Sequence, residues 1–305
     1  MGRMTNLRHL SCAVLLLIAV PASQAAEPPA DVLTGAVATR VVERGDTLRT
    51  LAARAGIDVA TVVAENGLTS ADVLASGQPL VIDNRHIVPA NRGAAAIVVN
   101  LPQRMLFFFD RTVVGLPVAV GRRTWSTPLN EFQVVTLETD PTWDVPASIR
   151  AEAQRLGRTL PASVPPGPAN PLGRFWIGLS GGAVGIHGTN APSSIYGAVT
   201  HGCMRLHPDD IAWLFPRVST GMTVRTVYEP VLLADIGGRV FLEVHPDVYR
   251  RQANSLAAVQ ALAANRGLTG RIDWAAAARV VALRHGVARD VTSAETAVRD
   301  EVGFP

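Results

Sequence analysis

The stretch "IHGTNAPSSIYGAVTHGCMRL", Ile186 to Leu206, places two histidines and a cysteine among glycines. His187 follows the strand-like run Ala183–Ile186, and 15 residues separate it from Cys203, which lies two positions after His201. A cysteine nucleophile needs a base that takes the thiol proton and donors for the oxyanion that forms on the attacked carbonyl. Two strand ends that meet across the intervening loop would bring His187 to Cys203. The stretch therefore predicts strands that end at a cysteine site.

Three kinds of site fit these residues before any family is considered. The first is a Cys–His nucleophilic pair, which the surrounding glycines favour because they let a substrate approach the backbone closely. The second is a zinc site formed by His187, His201, Cys203 and His207, although these spacings match no familiar closed site. The third is a buried structural cysteine, since free cysteine behaves as a small hydrophobic residue. The residues alone favour the first and leave the other two open.

The other cysteine of the chain, Cys12, lies in a predicted secretory signal peptide, residues 1–25. Two early arginines, the apolar run Ala13–Val20 and the small-residue pattern Ser23-Gln24-Ala25 are typical of such a signal. Cleavage leaves Cys203 without an intramolecular disulfide partner in an exported chain. We therefore expect Cys203 to be buried, paired between chains or used in chemistry.

Length and charge limit the remaining classes of function. The 305 residues suggest about two domains. The net charge is +3, and removal of the two arginines of the signal segment leaves a nearly neutral mature chain. Nothing in the sequence forms the basic stripe of a nucleic-acid-binding protein. We predict no nucleic-acid partner.

Residues 39–83 have the outline of a small βααβ unit. Asp46 or Thr47 can cap a first helix whose apolar residues recur at helical spacing, and a second helix and a strand follow. The Pro/Ala-rich residues 26–38 predict a flexible tether, and residues 84–93 predict a linker. This pattern indicates a self-contained module that acts as an anchor.

From residue 94 the pattern changes to short β-branched or aromatic runs bounded by turn residues, which predict strands. These runs are Ile97–Asn100, Met105–Phe109, Thr112–Val120, Glu131–Leu137, Phe175–Leu179 and Met222–Tyr228. The Pro-rich stretch Leu160–Gly173 is either a surface loop or one wall of a substrate cleft. Apolar residues at helical spacing in Ser255–His285 predict helices.

Three pieces of the N-terminal unit resemble the LysM module, a small fold that binds the N-acetylhexosamine backbone of peptidoglycan or chitin. They are Gly45-Asp46-Thr47-Leu48, Glu65-Asn66-Gly67-Leu68 and Gly77-Gln78-Pro79-Leu80. Their order along the chain also matches. The resemblance implies that residues 39–83 bind peptidoglycan.

The motifs "IHGT" (186–189) and "THGCMRL" (200–206) resemble the signature of L,D-transpeptidases with a YkuD-type catalytic domain. The likeness extends to Asp140-Pro141-Thr142-Trp143, Val164-Pro165-Pro166-Gly167-Pro168, Asn170-Pro171-Leu172-Gly173 and Glu229-Pro230-Val231. The resemblance implies an α+β protein with a βααβ LysM module at residues 39–83. A mostly β, sandwich-like catalytic domain at residues 94–228 and a short helical extension at residues 229–305 follow it.

The resemblance assigns the chemistry to a cysteine and a histidine. Cys203 becomes the nucleophile and His187 the general acid/base, with the Gly188 carbonyl orienting the imidazole. An imidazolium next to a thiol favours the thiolate, so we expect a lowered thiol pKa, a raised imidazole pKa and a bell-shaped pH profile. The resemblance implies neither a metal nor a cofactor.

The remaining motif residues surround this pair. In the resemblance, His201, Gly202 and the backbone N–H of Cys203 line the oxyanion pocket. Arg205 either fixes the loop or holds a substrate carboxylate, and Thr200 is structural or catalytic.

The implied reaction is an exchange on peptidoglycan in the periplasm. Cys203 attacks the amide before the terminal D-alanine of a tetrapeptide stem, and an amine then takes the acyl group from the thioester. The amine belongs to a lipoprotein lysine or to diaminopimelate, which gives lipoprotein anchoring or 3-3 cross-links. Alternatives are an L,D-carboxypeptidase or lipoprotein-releasing amidase that uses water, and a non-catalytic peptidoglycan-binding protein. Carbapenems are the expected covalent inhibitors.

Overall fold

The computed structural model describes Met1 and residues 31–182, 184–251 and 254–294. The predicted signal peptide, residues 1–25, lies outside these ranges apart from its first residue. Within the described ranges, every helix is too short or too polar to cross a bilayer.

The N-terminal unit has the predicted order of strand, helix, helix and strand. Its elements, with the short strands that flank them, are β1 (Leu33–Thr34), β2 (Val37–Val41), α1 (Leu48–Ala55), α2 (Val59–Asn66), β3 (Pro79–Asp83) and β4 (His86–Ile87). The Thr47 hydroxyl caps α1 by accepting from the Thr50 backbone N–H at 3.1 Å. The helix ends at Gly56, whose φ of 72° is left-handed. The βααβ prediction is confirmed.

The described part of the predicted tether, residues 31–38, is built into the fold. β1 pairs antiparallel with β4, which lies in the predicted linker and is buried. The Asp31 carboxylate accepts from the Asp235 backbone N–H at 2.7 Å and from the Arg266 guanidinium. The tether prediction was wrong for these residues because their partners lie in the linker strand β4 and in the C-terminal region, where no local pattern reveals them.

The region that begins at residue 94 is built on one large sheet. In chain order its elements are β5 (Ile97–Asn100), β6 (Met105–Phe109), β7 (Val113–Gly121), β8 (Glu131–Thr139), β9 (Trp143–Asp144), α3 (Ala147–Arg155), β10 (Ser163–Val164), β11 (Phe175–Leu179), β12 (Gly185–His187), β13 (Ala198–Thr200), β14 (Met204–Leu206), α4 (Pro208–Leu214) and β15 (Thr223–Val227). The nine strands follow the order β13-β7-β14-β12-β11-β8-β15-β5-β6, and β6 also pairs with β7. The sheet therefore closes on itself at β7. The six predicted strands are confirmed, with ends that differ by at most two residues.

The core inside this sheet positions the strand ends of the cysteine motif. Ile186 on β12 and Met204 on β14 are fully buried in the main apolar cluster. Burial of such a side chain contributes about 1.5–3 kcal/mol. The next residue on one strand is His187, and the residue before the other is Cys203. The core therefore fixes the positions of His187 and Cys203, because each is adjacent in sequence to a fully buried side chain.

An insertion between β8 and β11 carries β9, α3 and β10. β9 and β10 pair antiparallel, with Trp143 opposite Val164. The Pro-rich stretch after α3 is held by Asn170, which is buried and donates to the Pro141 carbonyl at 2.8 Å. Its Oδ1 accepts from the Leu172 N–H at 2.9 Å. These bonds fix a segment that has little regular secondary structure.

The C-terminal region contains the predicted helices and also a small sheet. Its elements are β16 (Val231–Ile236), β17 (Arg239–Val244), α5 (Leu256–Asn265), α6 (Trp274–Leu283) and β18 (Arg289–Asp290). One face of the sheet packs against α5 and α6, while Leu232, Ala234 and Phe241 on the other face pack against β1 and β4. Because both faces are covered, the strands lack alternating hydrophobicity. The strands were for this reason missed by the sequence analysis.

Candidate active site

His187 and Cys203 are brought together by two neighbouring strands. β12 ends at His187, and β14 begins one residue after Cys203. The strands are parallel, with His187 opposite Arg205. Because side chains alternate between faces, His187, Cys203 and Arg205 lie on the same face, and all three line a cleft of about 870 Å³. Two strand ends therefore meet across the loop, as the spacing predicts.

The His187 imidazole is buried, with 4% of the residue exposed, and its Nδ1 faces a backbone carbonyl. Nδ1 lies 2.6 Å from the Gly188 carbonyl oxygen. A carbonyl can only accept, so Nδ1 donates and Nε2 is left as an acceptor. The Trp176 ring stacks on the imidazole at 5.9 Å. Burial, and then the positive charge of Arg205, lowers the pKa of His187 to about 3.

The Cys203 thiol is half-buried and neutral at rest. Burial raises the pKa of the thiol, against the opposing effects of the Gly185 backbone N–H and the Arg205 charge. The expected pair of lowered thiol pKa and raised imidazole pKa is therefore wrong for the resting site. The reason is that burial disfavours both charged forms, which an argument from local sequence does not include. Proton transfer has to accompany the reaction.

The turn before Cys203 is held by two threonines. The Thr200 hydroxyl donates to the Cys203 carbonyl at 2.6 Å and accepts from the Gly202 N–H at 3.2 Å. The Thr127 hydroxyl donates to the Gly202 carbonyl at 2.9 Å. Gly202 has a φ of 107°, which a residue with a Cβ rarely adopts. The contacts of Thr200 are those of a residue that shapes the turn.

Arg205 connects the cysteine strand to the loop that separates the two motif pieces. Its guanidinium donates to the Ser194 hydroxyl at 2.9 Å. Ser194 lies in the loop between His187 and Cys203. This contact corresponds to the loop-fixing alternative, and the arginine also lines the cleft.

The His201 side chain contacts residues that the sequence analysis missed. Its Nε2 lies 2.6 Å from Glu152 Oε2, and Arg122 binds the other oxygen of that carboxylate. The Trp125 ring meets the imidazole edge-on at 5.0 Å. His201, Glu152 and Trp125 line the same cleft as Cys203. Glu152 lies on α3, 49 residues before His201, and no sequence motif marks it.

The structure bears on two alternatives that the sequence leaves open, the role of the Pro-rich stretch and the zinc site. Leu160, Pro171 and Leu172 of the Pro-rich stretch line the cleft, which favours the wall over the plain surface loop. For the zinc alternative, no group of three or more His, Cys, Asp or Glu side chains in the described ranges is placed to hold a metal ion. His207 instead caps α4 by accepting from the Asp209 N–H at 3.3 Å.

Known proteins match both the N-terminal unit and the region that carries the cleft. A model of the L,D-transpeptidase catalytic domain (YkuD) matches residues 94–228, and a LysM domain model matches residues 41–83. The probable L,D-transpeptidase ErfK/SrfK of Salmonella typhimurium is 35% identical over 74% of this chain and 75% of that protein. Its Escherichia coli counterpart is 33% identical over 80% of this chain and 82% of that protein. A further match is the solved structure of the catalytic domain from the E. faecium L,D-transpeptidase acylated by ertapenem. This match is 22% identical, covers 44% of this chain and 97% of the solved chain, and has a TM-score of 0.34. The chain belongs to the L,D-transpeptidase family and carries a LysM domain ahead of its YkuD catalytic domain.

Proposed function

We propose that this protein works in the periplasm and exchanges the terminal D-alanine of peptidoglycan tetrapeptide stems through a thioester on Cys203. One observation carries the proposal: Cys203 and His187 share one face of adjacent strands, and Nδ1 of His187 is bonded to the Gly188 carbonyl. This arrangement leaves Nε2 to exchange a proton with the thiol. A thioester conserves the energy of the cleaved amide, so the reaction needs no ATP outside the cytoplasm.

The donor half-reaction uses the two neutral groups. Cys203 attacks the carbonyl that joins the L-centre of meso-diaminopimelate to D-alanine, and the thiol proton passes to His187 Nε2. The C–N bond then breaks, and the departing amine of D-alanine takes that proton. Because both groups are neutral at rest, the cysteine–histidine pair itself carries no charge before the substrate arrives.

The turn at Cys203 supplies the oxyanion pocket in this proposal. The negative charge develops on the attacked carbonyl oxygen beside the backbone of His201, Gly202 and Cys203. The Thr200 and Thr127 hydroxyls hold that backbone in place before the reaction, as electrostatic stabilisation requires.

The second half-reaction gives the acyl group to an amine. The acceptor is a diaminopimelate side chain or the lysine of a lipoprotein, and water gives a shortened stem instead. The LysM domain would hold the glycan strand whose stems enter the cleft. An exported enzyme with a wall-binding domain fits such a substrate, because peptidoglycan lies outside the cytoplasm.

The test is mass spectrometry of muropeptides after incubation with tetrapeptide-bearing sacculi and a lysine-ended peptide. The expected products are a stem joined to the peptide, or a 3-3 cross-link, together with free D-alanine. Cys203→Ala and Cys203→Ser should form neither, because a serine hydroxyl has a far higher pKa than a thiol. Turnover that survives in Cys203→Ala would show that another residue is the nucleophile.

A further inference from the structure

The cleft contains a second imidazole with a partner of its own. His201 Nε2 lies 2.6 Å from Glu152 Oε2. Two acceptors at that distance would repel each other, so Nε2 carries the hydrogen and donates it. In the neutral ring, Nδ1 of His201 is therefore the acceptor nitrogen. Arg122, which lies 3.2 Å from Nε2, donates to the carboxylate rather than to the ring.

The two imidazoles of the cleft differ in burial and in the group that accepts their N–H hydrogen bond. His187 is buried and donates to a neutral carbonyl, whereas the His201 side chain is 28% exposed and donates to a carboxylate. A carboxylate stabilises the imidazolium that forms when the ring takes up a proton. The Arg122 and His201 hydrogen bonds lower the pKa of Glu152 to about 2, so this group stays ionised. The His201 ring thus has a carboxylate that can pair with an imidazolium, whereas the His187 ring has only a carbonyl.

The second half-reaction needs a group that takes up a proton from the acceptor. An acceptor amine with the ordinary lysine pKa of about 10.4 is neutral in only about one molecule in 2,500 at pH 7. The ammonium has to lose a proton before its nitrogen can attack the thioester. Water carries no excess proton to lose, so the same requirement does not limit hydrolysis.

We propose that His201, held by Glu152, is the group that takes the proton from the acceptor ammonium. The inference rests on the thioester mechanism proposed above. The ammonium gives one proton to His201 Nδ1, and the imidazolium pairs with Glu152. The free amine attacks the thioester carbonyl, its second proton passes to the leaving Cys203 sulfur through His187, and an amide and a thiol result. His201 then releases its proton to solvent.

Glu152 is a positioning residue in this scheme, because it acts through His201. Besides His201 and Glu152, the titratable groups that line the cleft are His187, Cys203, Arg205, Arg158, Glu138 and Asp144. Glu138 is exposed and makes no hydrogen bond to His201 among the described residues. It therefore provides a matched control for the removal of one negative charge from the cleft.

The experiment measures how one thioester divides between aminolysis and hydrolysis. The full-length enzyme is acylated with a tetrapeptide muropeptide, and a lysine ε-amine acceptor competes with water at pH 7. Glu152→Gln and His201→Gln should each lower the aminolysis-to-hydrolysis ratio about tenfold, whereas Glu138→Gln should leave the ratio unchanged. Because both products arise from the same thioester, any change in the acylation rate cancels.

A second acceptor separates proton transfer from simple positioning. An α-amine with a pKa of about 8 is already about one-tenth neutral at pH 7, so its ratio should fall less than about threefold in Glu152→Gln. An unchanged ratio in both variants would overturn the inference, and so would an equal fall for the two amines or an equal fall in Glu138→Gln. If the unmodified enzyme forms no thioester at all, the proposed function fails instead, which is a distinguishable result.

Discussion

Arg289 of the C-terminal region binds Asp83 of the LysM domain, with 2.8 Å between Nη1 and Oδ2. The other guanidinium nitrogen binds Glu65 on α2. Val287 lies in the apolar core of the LysM domain, and the Thr61 hydroxyl donates to the His285 carbonyl at 3.0 Å. The sequence predicts a self-contained module, but these contacts make its core partly C-terminal. The domain is joined to the rest of the protein by packing as well as by the chain.

Arg289→Ala should lower the stability of the whole protein. The substitution leaves the buried Asp83 carboxylate with Arg85 as its remaining cation and costs about 1–3 kcal/mol, or several degrees in Tm. Thermal unfolding followed by circular dichroism measures the change. Arg239→Ala is the control, because Arg239 forms an ion pair with Asp290 but is 68% exposed, and such pairs contribute about 0–1 kcal/mol. Equal Tm values for the two variants would show that the domain contact does not contribute to stability.

The sequence predicts those parts of the site that lie within one motif. His187, Cys203 and Gly202 follow from strand ends and glycines in a stretch of 21 residues. The residues that support the motif cannot be predicted in this way, because Thr127 and Glu152 lie 75 and 49 residues before the groups that they contact. A threonine in a loop and a glutamate on a short helix have many ordinary uses, so nothing local distinguishes them. The same holds for strands that are buried on both faces, which lose the alternation by which a strand is recognised.

Thr127→Val should slow acylation of Cys203 although the side chain is not part of the motif. The hydroxyl accepts from the Gly121 N–H and donates to the Gly202 carbonyl, both at 2.9 Å, and valine has nearly the same shape without either bond. We expect a loss of about 1–3 kcal/mol in stability and a fall of about tenfold or more in the acylation rate, because the turn that carries the nucleophile loosens.

The control for that experiment is Thr61→Val in the LysM domain, where another fully buried threonine donates to the His285 carbonyl of the C-terminal region. It should cost similar stability and leave the acylation rate unchanged. Acylation rates from stopped-flow measurements, taken well below each Tm, separate the two effects. If both variants slow acylation equally, general destabilisation and not the turn explains the loss.

A carbapenem should acylate Cys203 and remain attached. The strained ring offers an activated carbonyl to the thiol, and ring opening leaves the departing nitrogen tethered to the acyl group. The expected observation is a mass increase of one drug molecule on the intact protein. The increase should be absent in Cys203→Ala, and drug attachment in that variant would locate the reactive group elsewhere.

The acylation rate should stay nearly constant between pH 7 and pH 5. His187 has to be neutral to accept the thiol proton, and burial together with Arg205 lowers its pKa to about 3. At pH 5 such a group is about 1% protonated, whereas an imidazole of ordinary pKa 6.5 is about 97% protonated and would slow the reaction about thirtyfold. Since the pKa is lowered, the acid fall in rate moves to below pH 5. Carbapenem acylation rates across this range, with circular dichroism to confirm the fold, decide the point.

The acylation rate of His187→Ala should be low at pH 7 and should rise with pH towards the raised pKa of the unassisted thiol. An inflection near pH 6.5 in the unmodified enzyme would show that His187 is not held neutral by its surroundings.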